Sequence, residues 1–207
     1  MPLRIPPGRA GRVWLVRRLQ VARHGAELLD RKRTALLAEH AHLTAEAAAA
    51  RVAWEDAARK VARWSTRAAV LDGTGHLELL ARHVRGEAVL ELEWSNLMGA
   101  RLPAARTVSV PDPPPLSALG AGSATVVLAG VCREATIAGA RLAVAERAQS
   151  ELAAELARAA RRLRALRDRW IPQHEQALQR LDLALDESQR EQAVRVRWLT
   201  QRAGRQE

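Results

Sequence analysis

The sequence contains neither tyrosine nor phenylalanine, so its aromatic side chains are six tryptophans. Alanine is the commonest apolar residue. A globular core of normal packing density needs bulky side chains to fill it, whereas long helices in side-by-side contact need far fewer. Although 207 residues are long enough for one or two ordinary domains, this composition argues against an ordinary globular fold.

Cysteine occurs once, at Cys132, so no internal disulfide can form, which is typical of a protein in a reducing compartment. No segment approaches the roughly 18 consecutive apolar residues that a membrane-spanning helix needs. Residues 1–8 contain no apolar signal core. We therefore expect a chain that is neither secreted, nor membrane-spanning, nor held together by disulfides.

Lysine is nearly absent, and Lys32 and Lys60 are the two lysines among 33 basic residues. With 23 acidic residues the formal net charge is +10. The excess positive charge lies in residues 1–71 and 131–207, whereas residues 72–130 contain more acidic than basic residues. Five of the nine prolines also fall in this middle segment. Turns are therefore expected in the middle, between two basic, alanine-rich arms.

Apolar residues in both arms recur at alternating steps of four and three. This is the a/d spacing of a left-handed coiled coil. A helix over residues 15–71 is about 85 Å long at 1.5 Å per residue, too long to fold back into a small globule. The alternative is an ordinary helical bundle, whose amphipathic helices carry a similar stripe. The main members of this seam are Leu15, Leu19, Leu29, Leu36, Leu43, Trp54, Val61, Trp64, Leu142, Leu152, Leu156, Leu163, Leu166 and Trp170.

These patterns predict an all-α fold built on a long antiparallel two-helix coiled coil. The expected order is a flexible tail (1–11), a first helix (12–71), a middle head (72–127), a second helix (128–200) and a flexible tail (201–207). Seam positions near 29 and near 181 are expected to lie together. After Trp170 the seam slips by one extra step of four, which is a stutter. Pro172 follows at once and is expected to kink the helix.

The middle head contains one segment of period two, in which Leu90, Leu92 and Trp94 alternate with glutamates. Residues 107–110 alternate similarly, and Asn96 and Gly99 between them favour a turn. We therefore expect a short β-hairpin at residues 88–110, followed by a proline-rich loop at 111–115. We expect this hairpin to lie off the seam, so that the coiled coil folds without it. Residues 76–84 are expected to form one short helix.

Motifs for catalysis, metal binding or cofactor binding are not found. His40 and His42 are two residues apart, a spacing that points two helical side chains to different faces and so does not favour a metal site. No glycine precedes a lysine, so no phosphate-binding loop is predicted. Cys132 has no partner and is interpreted as a small buried apolar residue. We expect no enzyme activity, no cofactor and no metal in this chain.

The arginine clusters admit a second interpretation, a basic coiled coil that binds nucleic acid or an acidic protein partner. Acidic residues are interspersed among the clusters, which is typical of a solvated coiled-coil exterior. Stacking on bases would require exposed aromatic side chains, and the seam is expected to use Trp54, Trp64 and Trp170. A basic rod also fits inside an acidic sleeve made by another protein.

Three short motifs follow one another along the chain. Their positions are Gly25, Lys32 and Arg33 in the first arm, Asn96, Met98 and Gly99 on the hairpin, and Arg161, Arg162, Ile171 and Pro172 in the second arm. Together they resemble the motifs of the D subunits of the V-type and archaeal-type rotary ATPases. The chain departs from that family at Arg164 and Arg167, which stand where the family has Asn and Glu.

The resemblance implies a central rotor shaft that couples transmembrane ion flow to ATP synthesis or hydrolysis. It implies a coiled coil standing in a hexamer of catalytic A and non-catalytic B subunits, with the small F subunit beside it. It further implies contact with a funnel-shaped subunit above the membrane ring. The chain would then belong to a peripheral complex on the cytoplasmic side of the membrane, and would itself bind no nucleotide and no nucleic acid.

Overall fold

In a computed structural model, which describes residues 4–84, 86–113 and 115–203, the chain is mostly helical with one β-hairpin. The expected fold class is confirmed: long helices at both ends flank a middle that contains two antiparallel strands. In chain order, the elements are α1 (Gly8–Asp72), α2 (Thr74–Ala81), β1 (Val89–Leu97), β2 (Ala100–Ser109), a 3-10 turn (Leu116–Leu119), α3 (Ser123–Arg164), a π-helical segment (Ala165–Trp170) and α4 (Ile171–Ala203).

The helix ends differ from those expected. Helix α1 begins at Gly8, so residues 8–11 are helical and do not belong to a flexible tail. Pro6 and Pro7 lie just before this start. They prevent the helix from extending further towards the N-terminus, because a proline lacks the backbone N–H and its ring crowds the preceding turn. Helix α3 begins at Ser123 instead of residue 128, directly after Gly122. At the far end, α4 continues to Ala203, past the expected boundary at residue 200.

The chain divides into two compact units. The first, unit one, contains residues 4–33 together with 158–203, and the second, unit two, contains residues 34–157. Among the described residues, no helix is both long and apolar enough to span a membrane.

Ion pairs connect the two helical stretches of unit one. Arg12 Nε lies 2.9 Å from Asp182, and a guanidinium nitrogen of Arg23 lies 2.7 Å from Glu175. An equivalent nitrogen of Arg167 lies 2.9 Å from Asp30. The numbers rise along α1 as they fall along α4 and the π segment, so the stretches are antiparallel. The expected juxtaposition of positions 29 and 181 is wrong, because Asp182 pairs near the start of α1.

The core of unit one is narrow and rich in small side chains. Leu15 and Leu19 from α1 and Leu163 from α3 are almost completely buried. Ala22, Ala26 and Ala159 are also buried. Small residues at these positions are compatible with close approach of the two helices, which explains how a chain without Phe and Tyr forms a buried seam.

Unit two has the same antiparallel pairing between α1 and α3. Arg51 forms an ion pair with Glu146, and the side-chain amide of Gln149 donates a hydrogen bond to the Thr44 hydroxyl oxygen at 3.1 Å. Farther along the pair, the Trp54 indole lies 3.2 Å from the position that a β-carbon at Gly139 would occupy. A glycine at this position of α3 leaves room for the indole.

The hairpin packs on this helix pair, in contrast to the expectation that it lies off the seam. Ala100 and Leu102 of β2 belong to one buried cluster with Leu36, Leu43, Ala148 and Leu152, and Leu97 of β1 packs against it. Strand β2 includes residues 100–106, although these lack a clean alternation and include Pro103. The coiled-coil seam is therefore covered by a third element at this level.

Candidate functional site

The predicted seam residues differ in exposure. Seven of the fourteen main seam positions, all leucines, are buried, and the others are half-buried or exposed. Leu71, at the end of the first seam, is 70% exposed. Buried positions are Leu15, Leu19, Leu36, Leu43, Leu142, Leu152 and Leu163; half-buried positions are Leu29, Val61, Trp64, Leu156, Leu166 and Trp170; Trp54 is exposed at 39%.

The first motif lies in the C-terminal half of unit one's stretch of α1, which ends at Arg33. A β-carbon at Gly25 would meet nothing within 4 Å, although glycine in a helix interior costs about 1 kcal/mol relative to alanine. Nothing in the structure explains glycine at this position. Lys32 and Arg33 are half-buried, and Arg33 Nε is buried and makes no hydrogen bond within the described part of the chain.

The second motif forms the turn of the hairpin. Met98 and Gly99 have φ angles of 49° and 89°, as a two-residue hairpin turn of type I′ requires. The side-chain oxygen of Asn96 accepts a hydrogen bond from the Gly99 N–H at 3.1 Å. Met98 remains half exposed, while Leu97 and Ala100 on either side of the turn pack on the helices.

The third motif surrounds the π segment (Ala165–Trp170). The N–H of Ile171 donates to the carbonyl of Leu166, five residues earlier. Pro172 is half-buried and lacks the N–H that a regular helix would direct at the carbonyl of Asp168. The expected kink therefore takes the form of a π-bulge, and the chain stays helical through Pro172. Arg161 and Arg162, just before this segment, are exposed.

A buried histidine follows the π segment. The imidazole of His174 stacks on the indole of Trp170, with ring centroids 3.5 Å apart and an interplanar angle of 18°. Its Nδ1 donates a hydrogen bond to the Trp170 carbonyl at 2.8 Å. The guanidinium of Arg18 lies 5.9 Å from the indole centroid. These contacts lock the orientation of α4 directly after the irregular turn.

Arginines lie over several of the tryptophan rings, at 4.6 to 4.9 Å from the ring centroid. Such cation–π contacts cover one face of each ring, so that face cannot serve as a stacking platform for a nucleic-acid base. The pairs are Arg18 with Trp14, Arg67 with Trp64, Arg101 with Trp94, and Arg202 with Trp198.

In the described ranges, no group of three or more His, Cys, Asp or Glu side chains is placed to hold a metal ion. His42 Nδ1 lies 3.8 Å from a carboxylate oxygen of Glu46, one helical turn away. Cys132 is half-buried at an apolar cavity of about 440 Å³ beneath the proline-rich loop. Burial raises the pKa of the Cys132 thiol, which disfavours the reactive thiolate.

Two further features were not predicted from the sequence. Asp72, at the end of α1, accepts hydrogen bonds from the Gly122 N–H at 3.1 Å and from the Thr125 hydroxyl, and so caps the start of α3. At the N-terminus, the chain turns at Gly8, and the Pro6 carbonyl occupies the place that a β-carbon at Gly11 would need. The sequence signals for these two features were Gly8, which follows two prolines, and Gly122, which directly precedes α3.

A family model and individual relatives of known function both match most of the chain, and the two comparisons agree with each other. The family model described as the D subunit of ATP synthase matches residues 14–201. The D subunit of the V-type ATP synthase of Thermus thermophilus is 28% identical over 179 residues, covering 86% of this chain and 80% of the relative. The D subunit of the A-type ATP synthase of Pyrococcus horikoshii is 30% identical over 204 residues, covering 94% and 92%.

Proposed function

The chain belongs to the family of ATP synthase D subunits, and we propose that it is the central rotor shaft of a V/A-type rotary ATPase. The observation that carries the proposal is the match of one family model to nearly the whole chain, residues 14–201. The antiparallel helix pairing within each unit suits a shaft, because two helices that support each other resist bending and twisting better than one. The comparisons give no support to a nucleic-acid-binding function.

In this role the chain acts mechanically. Ion flow through the membrane turns a ring and the attached shaft, and the turning shaft drives each catalytic interface through its nucleotide states. The sequence contains no phosphate-binding loop motif, and the described residues contain no metal-ligating cluster. We therefore propose that it is a non-catalytic subunit.

The partners we propose are the catalytic A subunits, the non-catalytic B subunits, the F subunit and the funnel-shaped subunit above the membrane ring. The complex would lie on the cytoplasmic face of the membrane. The motif residues at Gly25, at the hairpin turn and around the π segment are the candidates for these contacts. The exposed arginines favour electrostatic contact over tight apolar packing, which would allow the shaft to change contact partners with modest barriers.

The test is assembly of the complex from purified subunits. We expect the A and B subunits to hydrolyse ATP when mixed, and a membrane-bound complex to pump ions only when this chain is present. The isolated chain is expected to neither hydrolyse ATP nor bind it at micromolar concentration. Ion pumping coupled to ATP hydrolysis in its absence, or saturable ATP binding by the chain alone, would contradict the proposal.

A further inference from the structure

A groove in unit one lies between the N-terminal segment and the second helical stretch. Its volume is about 910 Å³. One wall is residues 5–7, here called the strap, and the other is a face of the π segment and α4 between residues 165 and 184. The strap is held in place at Gly11, which is buried and over which the Pro6 carbonyl lies.

The charged side chains between residues 169 and 182 lie on two sides of the helix. Glu175 and Asp182 are directed at α1, where Arg23 and Arg12 neutralise them. The side chains that line the groove include Arg169, Gln173, Gln176 and Arg180, and no acidic residue. These four are spaced by steps of four and three, which places them along one face of a helix.

The two groove arginines are available to a partner. Arg169 and Arg180 are both exposed, and neither forms an ion pair with another of the described residues. The indole of Trp170 and the side chains of Leu181 and Ile5 also line the groove and offer apolar surface. An occupant that carries both acidic and apolar side chains would therefore complement this lining.

We propose that this groove, here called the arginine groove, binds an acidic segment of a partner protein that contains apolar side chains. Charge complementarity favours this occupant over a second copy of the chain, because the chain carries a net charge of +10 and the groove itself is basic. The proposal rests on the proposed function only in requiring a partner subunit.

The experiment measures binding of a fluorescein-labelled peptide of repeated Glu-Glu-Leu to the full chain by fluorescence anisotropy. The variant Arg169→Gln/Arg180→Gln should bind about tenfold more weakly, since two exposed ion pairs are lost. The matched control Arg106→Gln/Arg141→Gln removes the same charge from exposed positions in unit two and should bind like the parent chain. Binding should also weaken as salt is added.

A second variant tests the strap without changing charge. Gly11→Val places a side chain where the Pro6 carbonyl lies, so the strap must move and one wall of the groove is lost. We expect weaker peptide binding with an unchanged circular dichroism spectrum. Equal loss in both arginine double variants would overturn the proposal, as would peptide binding unchanged by either groove variant.

The occupant class is tested with duplex DNA and phosphatidylglycerol vesicles. The proposal requires that the groove variant lose peptide binding while its binding to DNA and vesicles falls no more than in the control variant. A larger loss for DNA or vesicles than for the peptide would overturn it in favour of that ligand. None of these measurements needs the assembled ATPase, so failure here is distinct from failure of the shaft to assemble.

Discussion

At the residue scale, Asp72 connects the end of one long helix to the start of the next. Its carboxylate accepts hydrogen bonds from the Gly122 N–H and the Thr125 hydroxyl. Removing a helix cap usually costs about 1 kcal/mol, with a range of about 0.5–2 kcal/mol. We expect Asp72→Ala to lower the free energy of unfolding by about 1–2 kcal/mol, because it also leaves the Thr125 hydroxyl without this acceptor. Urea denaturation measures this change.

The control for Asp72 is Asp56→Ala. Asp56 is exposed and pairs with Arg59 one helical turn away, and such pairs contribute little, about 0.5 kcal/mol or less. If the two variants unfold with the same free energy, the cap at Asp72 does not stabilise the fold as inferred.

Cys132 provides a second residue-scale prediction, which depends on pH. Burial raises the pKa of its thiol, so at a given pH a smaller fraction is thiolate than in a free cysteine. We expect N-ethylmaleimide to label Cys132 in the folded chain more slowly than in the urea-unfolded chain at pH 8. The rate in the folded chain should continue to rise with pH above the point where the unfolded chain levels off. Labelling at equal rates would contradict the raised pKa.

At the element scale, the hairpin has one packed region and one exposed region. Leu102 is buried against Leu36 and Leu152, whereas Leu92 on the opposite strand is exposed. Truncating a buried leucine to alanine costs about 2–5 kcal/mol. We expect Leu102→Ala to destabilise the chain within this range and Leu92→Ala to change stability by less than about 1 kcal/mol.

Thermal unfolding followed by circular dichroism measures both hairpin variants. Deletion of residues 88–110 should likewise lower helix content by cooperative loss, because it uncovers Leu36 and Leu152. Equal melting temperatures for Leu102→Ala and the parent chain would instead support a hairpin that is independent of the helices.

The π segment is the second element-scale feature. A proline inside a regular helix costs about 3 kcal/mol relative to alanine. Here the N–H of Ile171 already departs from the regular helical hydrogen-bond pattern, because it donates to the carbonyl of Leu166, five residues earlier. Reverting it to a regular helix would rotate α4 and separate Glu175 and Asp182 from their arginine partners.

We therefore expect Pro172→Ala to keep the π segment and to raise the free energy of unfolding by less than about 1 kcal/mol, well below the full proline penalty. Urea denaturation of the variant, with Pro7→Ala outside α1 as a control, measures this. A gain approaching the full penalty would show that the proline, and not the register of α4, maintains the irregular turn.

At the scale of the whole molecule, the antiparallel connection is testable by cross-linking within each unit. On a Cys132→Ala background, the pairs Arg23→Cys/Glu175→Cys and Arg51→Cys/Glu146→Cys should cross-link within one chain when a short bis-maleimide is added. The positions come from observed ion pairs. Electrophoresis under denaturing conditions separates a cross-linked monomer from a dimer.

The control for the register is Leu29→Cys/Leu181→Cys, the pairing expected from the seam alone. It should react poorly, since Asp30 pairs with Arg167 and Asp182 pairs with Arg12. Cross-links formed only between chains would mean that the antiparallel pair is made by two molecules.

Periodicity alone was sufficient for the main elements of the fold. Alternating steps of four and three over residues 15–71 predict a long helix because only a helix brings such residues to one face, whatever their neighbours are. The turn signalled by Asn96 and Gly99 was equally accessible, since asparagine side chains accept hydrogen bonds in turns and glycine adopts the left-handed φ angle found at Gly99. The family motifs can likewise be recognised from the sequence alone.

What the sequence by itself determined is therefore local: where helices run, where the hairpin turns, and which family the chain resembles. Tertiary structure alone decided the register of the helix pair, since a heptad seam fits at offsets of seven residues, and the ion pairs of Asp30 and Asp182 show which offset is adopted. It also decided that the hairpin covers Leu36 and Leu152, and that the strap and α4 form a basic groove. These depend on contacts between residues far apart in the chain, for which local periodicity carries no information.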